Sequence, residues 1–233
     1  MSLLIAFILT LIIALLFLRI IDFIASRGVI SAQLSRKIIH IGTGPIYILC
    51  WFLYPEESLS RFIAAIVPLL ITIQFFLIGT GVIKDQASID AMSRNGDPRE
   101  ILKGPLFYGL VFILVTILFW KDSLIGIISL MILCGGDGFA DIVGRRLKSK
   151  QLKWAKSKTI GGTVAMFLGG FIFSWVISAI LYSTGNYNYT FVKLTLNILI
   201  ISAFAALVES LPIKDYDNLT VPVSTLILGL LIF

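Results

Sequence analysis

Charged residues are scarce in this sequence, and their scarcity is the first restriction on its fold. Lys, Arg, Asp and Glu together make up 14% of the 233 residues, whereas 58% are hydrophobic. The surface of a water-soluble domain needs more polar side chains than this, so a soluble fold is excluded. We expect an all-α, polytopic transmembrane bundle in which residues 1–233 form a single integral membrane domain.

Reactive side chains are equally few. The sequence contains two cysteines, Cys50 and Cys134, and one histidine, His40. Both cysteines lie in or beside apolar stretches, so neither a disulfide framework nor a thiolate metal site is predicted. The N-terminal apolar stretch has no basic segment before Leu3 and no small-residue cleavage site, and we expect it to be retained as a helix.

Apolar stretches bounded by charge, Pro or Gly predict eight membrane helices, since each span needs about 20 apolar residues. The fifth is expected to be broken or to end at membrane depth, because Gly135-Gly136-Asp137-Gly138 follows its apolar part. Such irregular backbone is tolerated where it lines a polar cavity. The predicted spans lie near residues 3–21, 38–54, 61–80, 105–120, 123–143, 160–182, 191–209 and 220–233.

The loop charges predict an orientation for these eight spans. Of the 19 Lys and Arg residues, 16 fall in or beside the odd-numbered loops, and basic residues collect on the cytoplasmic side of a membrane. We therefore expect both termini outside and the odd-numbered loops, with any functional site they carry, on the cytoplasmic face. Ten of the 13 acidic residues lie on the same face, which insertion alone does not require.

The densest group of candidate site residues follows the fifth predicted span. Asp137 and Asp141 are four residues apart and share one helix face. Two such carboxylates suit a Mg²⁺ ion that also contacts nucleotide phosphates. The alternative is a solvated charge cluster at a helix end. Four neighbours are candidates for phosphate binding: Gly136, Gly138, Arg145 and Arg146.

Basic and hydroxyl side chains precede the sixth predicted span. Lys156, Lys158 and Thr159 stand just before Gly161-Gly162. Lysines and the N-terminal amides of a helix together favour a polyphosphate, so these three residues are candidates for phosphate binding. The alternative is a basic segment beside the membrane that contacts anionic lipid.

Two smaller groups begin other predicted spans. Arg36, Lys37 and His40 are spaced so that one helix face presents two cations and the histidine, which suits a phosphate clamp with a proton acceptor. A structural histidine is the alternative. Lys103, three residues after Glu100, is either a further phosphate ligand or the partner in a local ion pair.

The last group surrounds the seventh predicted loop. Glu209, Asp217 and Asn218 lie near Pro212 and Pro222. An ordinary connection between two spans does not require these polar side chains at its helix ends. We therefore interpret them as a second polar wall of one site.

Five motifs, in this order, resemble the CTP-dependent polyprenol kinase family, and most closely its phytol kinase branch. They cover nearly the whole chain after the first span. The resemblance implies transfer of the γ-phosphoryl group of CTP to the hydroxyl of an isoprenoid alcohol, above all phytol, giving phytyl monophosphate for tocopherol or related prenyl-lipid synthesis. The motifs are Arg36-Lys-Ile-Ile-His40, Arg99-Glu-Ile-Leu-Lys-Gly-Pro105, Gly135-Gly-Asp-Gly-Phe-Ala-Asp-Ile-Val-Gly-Arg145, Lys156-Ser-Lys-Thr-Ile-Gly-Gly162 and Asp217-Asn-Leu-Thr-Val-Pro222.

The resemblance also implies roles for the candidate residues. Asp137 and Asp141 are expected to hold Mg²⁺, and the base that receives the hydroxyl proton stays open among His40, Asp141 and Glu209. The expected partners are CTP and a lipid alcohol in the bilayer, without nucleic acid, and a homo-oligomer is left open. Phosphate contacts are expected from Arg36, Arg145, Lys156 and Lys158, and nucleotide or metal support from Asp217 and Asn218.

Two other functions fit part of this pattern. The segments Asp137–Arg145 and Lys156–Gly162 are also similar to phosphatidate cytidylyltransferases, which attach CMP and release pyrophosphate. That family ends in a pattern with histidine and arginine, whereas Lys214-Asp215 is followed here by Tyr216-Asp217-Asn218, which favours the kinase. A secondary transporter would also have broken helices, but the two halves show no internal repeat and the charges crowd one face.

Overall fold

The computed structural model describes residues 1–93, 96–185, 187–213 and 216–233, apart from the side chains of Ala32 and Ala91. Arg94-Asn95, part of a predicted turn, and Lys214-Asp215 lie outside these residues. Over the described ranges the chain is α-helical and forms no strand beyond an isolated bridge between Gln151 and Thr159. It divides into two compact units, Met1–Leu118 and Phe119–Phe233. That the two act as a single domain stays a prediction.

The first unit contains five of the described α-helices. Two short 3₁₀ segments, Trp51–Leu53 and Pro98–Leu102, extend α2 and precede α5. The helices are α1 (Leu3–Ser26), α2 (Ala32–Cys50), α3 (Ser60–Gly79), α4 (Gln86–Met92) and α5 (Gly104–Leu118).

Buried polar groups join the helices of the first unit. The hydroxyl of Tyr47 on α2 donates to the carbonyl of Ala64 on α3 at 3.1 Å and lies 3.1 Å from Oγ1 of Thr116 on α5. Where α3 and α5 pack together, a side chain at Gly109 would overlap Thr72. A membrane interior offers no water to such groups, so their hydrogen bonds must be made within the protein.

The second unit contains the other five described α-helices. A 3₁₀ segment, Trp120–Asp122, opens the unit, and a π-helical segment, Ile132–Asp137, joins two of its helices. The helices are α6 (Leu124–Met131), α7 (Gly138–Arg146), α8 (Ile160–Tyr182), α9 (Phe191–Glu209) and α10 (Asp217–Ile232).

Each of the eight apolar segments predicted from the sequence coincides with helix. Within the described residues, six helical segments are long and apolar enough to cross a membrane, and α10 is a shorter apolar helix. This chain is therefore an all-α membrane protein, while eight as the number of spans stays a prediction. The six segments are Leu3–Ser26, Ser60–Gly79, Pro98–Leu118, Leu124–Arg146, Ile160–Tyr182 and Phe191–Glu209.

The fifth segment is not broken at its glycines. It runs as continuous helix from Leu124 to Arg146, with the irregularity confined to the π-helical segment. A π-helical turn holds one more residue than an α-turn, so it rotates α7 relative to α6 without ending the helix. The sequence indicates an irregular helix there. It cannot distinguish a break from a π-helical turn, because that depends on what the glycines pack against.

Close packing against α8 explains these glycines. A Cβ atom at Gly169 on α8 would lie 2.6 Å from the carbonyl oxygen of Gly135, and one at Gly136 would lie 2.8 Å from Sδ of Met166. Further along, the Cα atom of Gly162 lies 3.5 Å from the position of a Cβ at Gly144. Glycine on both helices therefore allows this approach of the two backbones, as small residues do between membrane helices.

Gly169→Ala should destabilise the second unit, because the new Cβ would lie 2.6 Å from a backbone oxygen that cannot move aside as a side-chain tip can. We expect a loss of about 1–3 kcal/mol and a lower thermal unfolding midpoint in detergent. Gly144→Ala is the matched control, since its Cβ would meet Thr159 and Gly162 at the ordinary contact distances of 3.4 and 3.5 Å. Equal midpoints for the two variants would contradict this packing argument.

Candidate functional site

A lysine held between two carboxylates is the centre of the polar end of the second unit. Nζ of Lys158 donates to Oε1 of Glu209 at 2.5 Å and to Oδ2 of Asp217 at 2.9 Å. Glu209 is the last residue of α9 and Asp217 the first of α10, while Lys158 closely precedes α8. The ion pairs therefore join the ends of three helices, and they bring together three candidate residues from two distant parts of the sequence.

Backbone hydrogen bonds give the segment before α8 a definite shape. The amide of Leu152 donates to the carbonyl of Lys158 at 3.0 Å, and the amide of Ile160 donates to the carbonyl of Lys150 at 2.9 Å. Leu152 and Ala155 are buried, so the segment has a small apolar interior. Thr159 caps α8, because its Oγ1 accepts the amide N–H of Gly162 at 3.1 Å. The direction of the Lys158 side chain is fixed by this fold.

Trp154 attaches the same segment to the end of α9. Its indole Nε1–H donates to the carbonyl oxygen of Ser210 at 3.0 Å, although the side chain remains 60% exposed. Carbonyls in the last turn of a helix have no partner within the helix, and Trp154 satisfies one next to that turn. The sequence pattern gives Trp154 no role, because the partner is a backbone atom 56 positions away.

The electrostatics of the ion pairs keep Lys158 charged. Burial lowers the pKa of its ammonium group, but the attraction and hydrogen bonds of Glu209 and Asp217 outweigh burial, so its pKa lies above the ordinary value of 10.5. Asp137 also lies within electrostatic range of Glu209. Lys158 is thus the cation that offsets a concentration of carboxylates at this end of the unit.

Asp137 and Asp141 occupy different settings on the same helix. Asp137 ends the π-helical segment and is partly buried. Asp141, one turn later on α7, accepts from Nε of Arg145 at 2.8 Å, and that arginine side chain is 49% exposed. An i, i+4 ion pair with a half-exposed arginine adds little to stability. Arg146 is exposed.

Two of the predicted phosphate ligands are glycines that lie buried in the helix packing. Gly136 and Gly138 are both buried, and a side chain at Gly136 would overlap Met166 of α8. Their role toward phosphate stays a prediction.

The lysines of the next segment differ from one another, since Lys156 is exposed whereas Lys158 turns inward. Asn218 lies partly buried beside Asp217 in the first turn of α10.

The remaining candidates lie in the first unit. Arg36, Lys37 and His40 are partly buried on α2, and Lys103 is exposed just before α5. The ring of Tyr108 lies 4.6 Å from that of His40 between centroids, and its hydroxyl donates to the backbone carbonyl of His40 at 2.8 Å. Sequence reasoning missed Tyr108, because the contact joins α2 to α5 and no charge pattern marks it.

Metal-binding side chains do not form a large cluster in the part of the chain that the structure describes. No group of three or more His, Cys, Asp or Glu residues there could hold a metal ion. A pair of carboxylates is nevertheless compatible with Mg²⁺, which keeps several waters and takes other oxygens from substrate phosphates. Asp137 and Asp141 therefore remain candidates as a pair.

Comparison with known proteins relates the whole chain to isoprenoid alcohol kinases. The chain is 42% identical over 223 residues to a probable chloroplastic phytol kinase 2 of Oryza sativa subsp. japonica, which covers 95% of the chain and 73% of that relative. The chain belongs to the phytol kinase family. It is also 40% identical to a chloroplastic farnesol kinase and 35% identical to phytol kinase 1, both of Arabidopsis thaliana, over 90% of the chain and 69% and 70% of those relatives.

Membership of the phytol kinase family confirms the resemblance that the five motifs indicate. No family model matches the chain, and no solved structure matches it. The relatives match across both compact units, so family membership does not depend on the second unit alone. The roles of individual site residues in this member of the phytol kinase family stay predictions.

Lys158→Met should destabilise the protein, because it leaves the buried carboxylate of Glu209 without its cation. We expect a loss of about 3–5 kcal/mol, with partial recovery when Glu209→Gln is added. Because the folded pKa of Lys158 lies above 10.5, the stabilisation is fully present at neutral pH and is lost only as pH rises through that pKa. Thermal unfolding in detergent at neutral pH should therefore show the full deficit relative to wild type.

Lys158→Arg is the matched control for this prediction, since it keeps the positive charge and can donate to both carboxylates. We expect it to unfold closer to wild type than Lys158→Met does. If the two variants had the same midpoint, or if adding Glu209→Gln lowered the midpoint further, the ion pairs would not be what stabilises this end of the unit.

Proposed function

We propose that this protein transfers the γ-phosphoryl group of CTP to the hydroxyl of an isoprenoid alcohol, with phytol as the first substrate to test. The observation that carries the proposal is identity of 35–42% to relatives named phytol kinase and farnesol kinase, over at least 90% of the chain. CTP as the donor comes from the motif resemblance. The site composition supports the proposal, because phosphoryl transfer depends mainly on positioning and on neutralising charge.

The second unit offers groups for both requirements. Asp137 and Asp141 would hold Mg²⁺, which when bound neutralises charge on the β- and γ-phosphates. Arg145 and Lys156 would contact phosphate oxygens from exposed positions. An ammonium group has three N–H donors, and Lys158 directs two of them at Glu209 and Asp217. We assign the third to a phosphate oxygen, so that Lys158 would link the nucleotide to the ends of α9 and α10.

Three residues are candidates for accepting the proton of the alcohol. Glu209 accepts from Lys158 and Asp141 accepts from Arg145, whereas the ring of His40 packs on Tyr108. A general base must come within hydrogen-bond reach of the hydroxyl in the substrate complex. The geometry of the substrate complex therefore decides which of the three is the base, and the proposal keeps all three.

The proposal includes a location for the reaction. The alcohol would lie dissolved in the bilayer with its hydroxyl at the interface, and the nucleotide would enter from water. The predicted orientation places both termini outside and the site on the cytoplasmic face, as the distribution of basic residues favours. A cysteine-labelling experiment on the two termini in sealed vesicles would test the orientation independently of activity.

Lipid labelling from CTP tests the reaction itself. Purified protein is incubated with Mg²⁺, phytol and CTP labelled at either the γ or the α phosphorus, with a longer polyprenol and phosphatidic acid as parallel acceptors. We expect γ label in an alcohol monophosphate and no α label in any lipid. Label from the α position alone would overturn the proposal in favour of a cytidylyltransferase. The absence of any labelled lipid would remove phosphoryl transfer altogether and favour transport.

Asp137→Asn and Asp141→Asn should each abolish this transfer while the protein remains folded. The loss in kcat should be at least about a hundredfold, because each variant removes a negative ligand from the proposed metal pair. Asp141→Asn should leave the unfolding midpoint nearly unchanged, since the Arg145 side chain that it pairs with is 49% exposed and such pairs contribute little. Turnover is measured with γ-labelled CTP at varied Mg²⁺ concentration.

Asp90→Asn is the matched control for the two aspartate variants. Asp90 lies on α4, where its carboxylate accepts from Nε2 of Gln86 at 2.8 Å in an exposed contact. We expect it to keep wild-type turnover. Near-normal turnover in Asp137→Asn or Asp141→Asn would remove that residue from the proposed metal pair.

A further inference from the structure

Three exposed lysines on the segment before α8 lie outside the proposed reaction. Lys148, Lys150 and Lys153, which we call the lysine face, are all exposed. Lys158 on the same segment turns inward to Glu209 and Asp217. Over the described residues, no carboxylate forms an ion pair with the lysine face. Three cations are thus presented outward without counter-charge from that part of the protein.

The lysine face is held in a fixed arrangement. Lys150 accepts the amide N–H of Ile160 through its carbonyl, and the adjoining turn is closed by the hydrogen bond from Leu152 to Lys158. The amide of Gly161 donates to Oγ of Ser149 at 3.0 Å. Because these hydrogen bonds already order the backbone of the segment at the start of α8, little further backbone entropy is lost when the lysines bind a partner.

The lysine face also has the position of a membrane interface. It adjoins the first residue of α8, and Trp154 attaches the segment to Ser210, which directly follows α9. Both helices are apolar enough to span a bilayer. The large side chains that flank it in the chain are exposed, with Leu147 at 58% and Trp154 at 60%. Trp and Tyr are enriched where membrane helices meet the headgroups.

We infer that the lysine face binds the phosphate groups of anionic phospholipid headgroups in the surrounding leaflet. Exposed lysines near the end of a membrane helix attract anionic lipid, while the exposed Trp154 and Leu147 side chains enter the boundary between headgroups and acyl chains. A nucleotide carries the same phosphate chemistry, but it would not require the exposed Leu147 and Trp154 side chains beside the lysines. The partner is therefore a lipid surface, and the inference goes beyond the proposed kinase reaction.

Lipid selectivity of the full-length protein tests this inference. The protein is placed in vesicles of phosphatidylcholine with 30 mol% phosphatidylglycerol as a chosen test composition, and the motionally restricted fraction of spin-labelled phosphatidylglycerol is compared with that of spin-labelled phosphatidylcholine. We expect wild type to prefer phosphatidylglycerol. The preference should fall at least ~5-fold in K148Q/K150Q/K153Q and persist in K148R/K150R/K153R, which keeps the charges.

Two further arms keep the test decisive with the wild-type protein. Raising the salt from about 0.1 to 1 M should weaken the preference, since it shortens the screening length to about 3 Å. Millimolar CTP should leave the preference unchanged. Equal restriction of the two lipids, no change in the glutamine variant, or displacement of phosphatidylglycerol by CTP would each overturn the inference. The measurement needs no turnover, so its failure is distinguishable from failure of the proposed kinase activity.

Discussion

The second unit depends on a contact between two backbones. Gly135 and Gly169 meet so closely that a Cβ on Gly169 would lie 2.6 Å from the Gly135 carbonyl oxygen. This contact lets the helix from Leu124 to Arg146 pack against α8 along its length, and the π-helical segment occurs where the packing is tightest. Asp137 ends that segment, and Thr159 begins the helix on the other side. The glycines therefore determine where the acidic and basic segments lie relative to each other.

Burial then gives the ion pairs of Lys158 their importance. Glu209 is 5% exposed, and a charge removed from water in this way is tolerated only with a closely placed counter-charge and further hydrogen bonds. Lys158 provides the counter-charge, and Asp217 completes the arrangement from the start of α10. Well-packed apolar groups in place of these ion pairs would stabilise the ends of the three helices about as well. The proposed contact of Lys158 with phosphate would give this charged arrangement a purpose beyond stability.

Sequence patterns predict the helices well because a span needs only a sufficient run of apolar residues. They also predict that Lys158, Glu209 and Asp217 belong to one polar region. They cannot single out Lys158 from Lys156, because both lysines have the same chemistry and the hydrogen bonds around Leu152 decide which one faces inward. Nor can they separate a glycine that packs from one that contacts phosphate. The sequence around Gly136 is compatible with either role, because the residue it packs against, Met166, is 30 positions away in the sequence.

A kinase for membrane alcohols must bring together two reactants that prefer different solvents. A site in the middle of the bilayer would require desolvation of a nucleotide, while a site in a water-exposed domain would require extraction of the lipid tail. The ends of apolar helices avoid both difficulties, since the tail can stay among the spans while the phosphates stay in contact with water. In the second unit the candidate charged side chains lie on α7, just before α8, at the end of α9 and at the start of α10, and the buried side chains along α8 are apolar or small. This separation of charged from apolar side chains is what the proposed reaction requires.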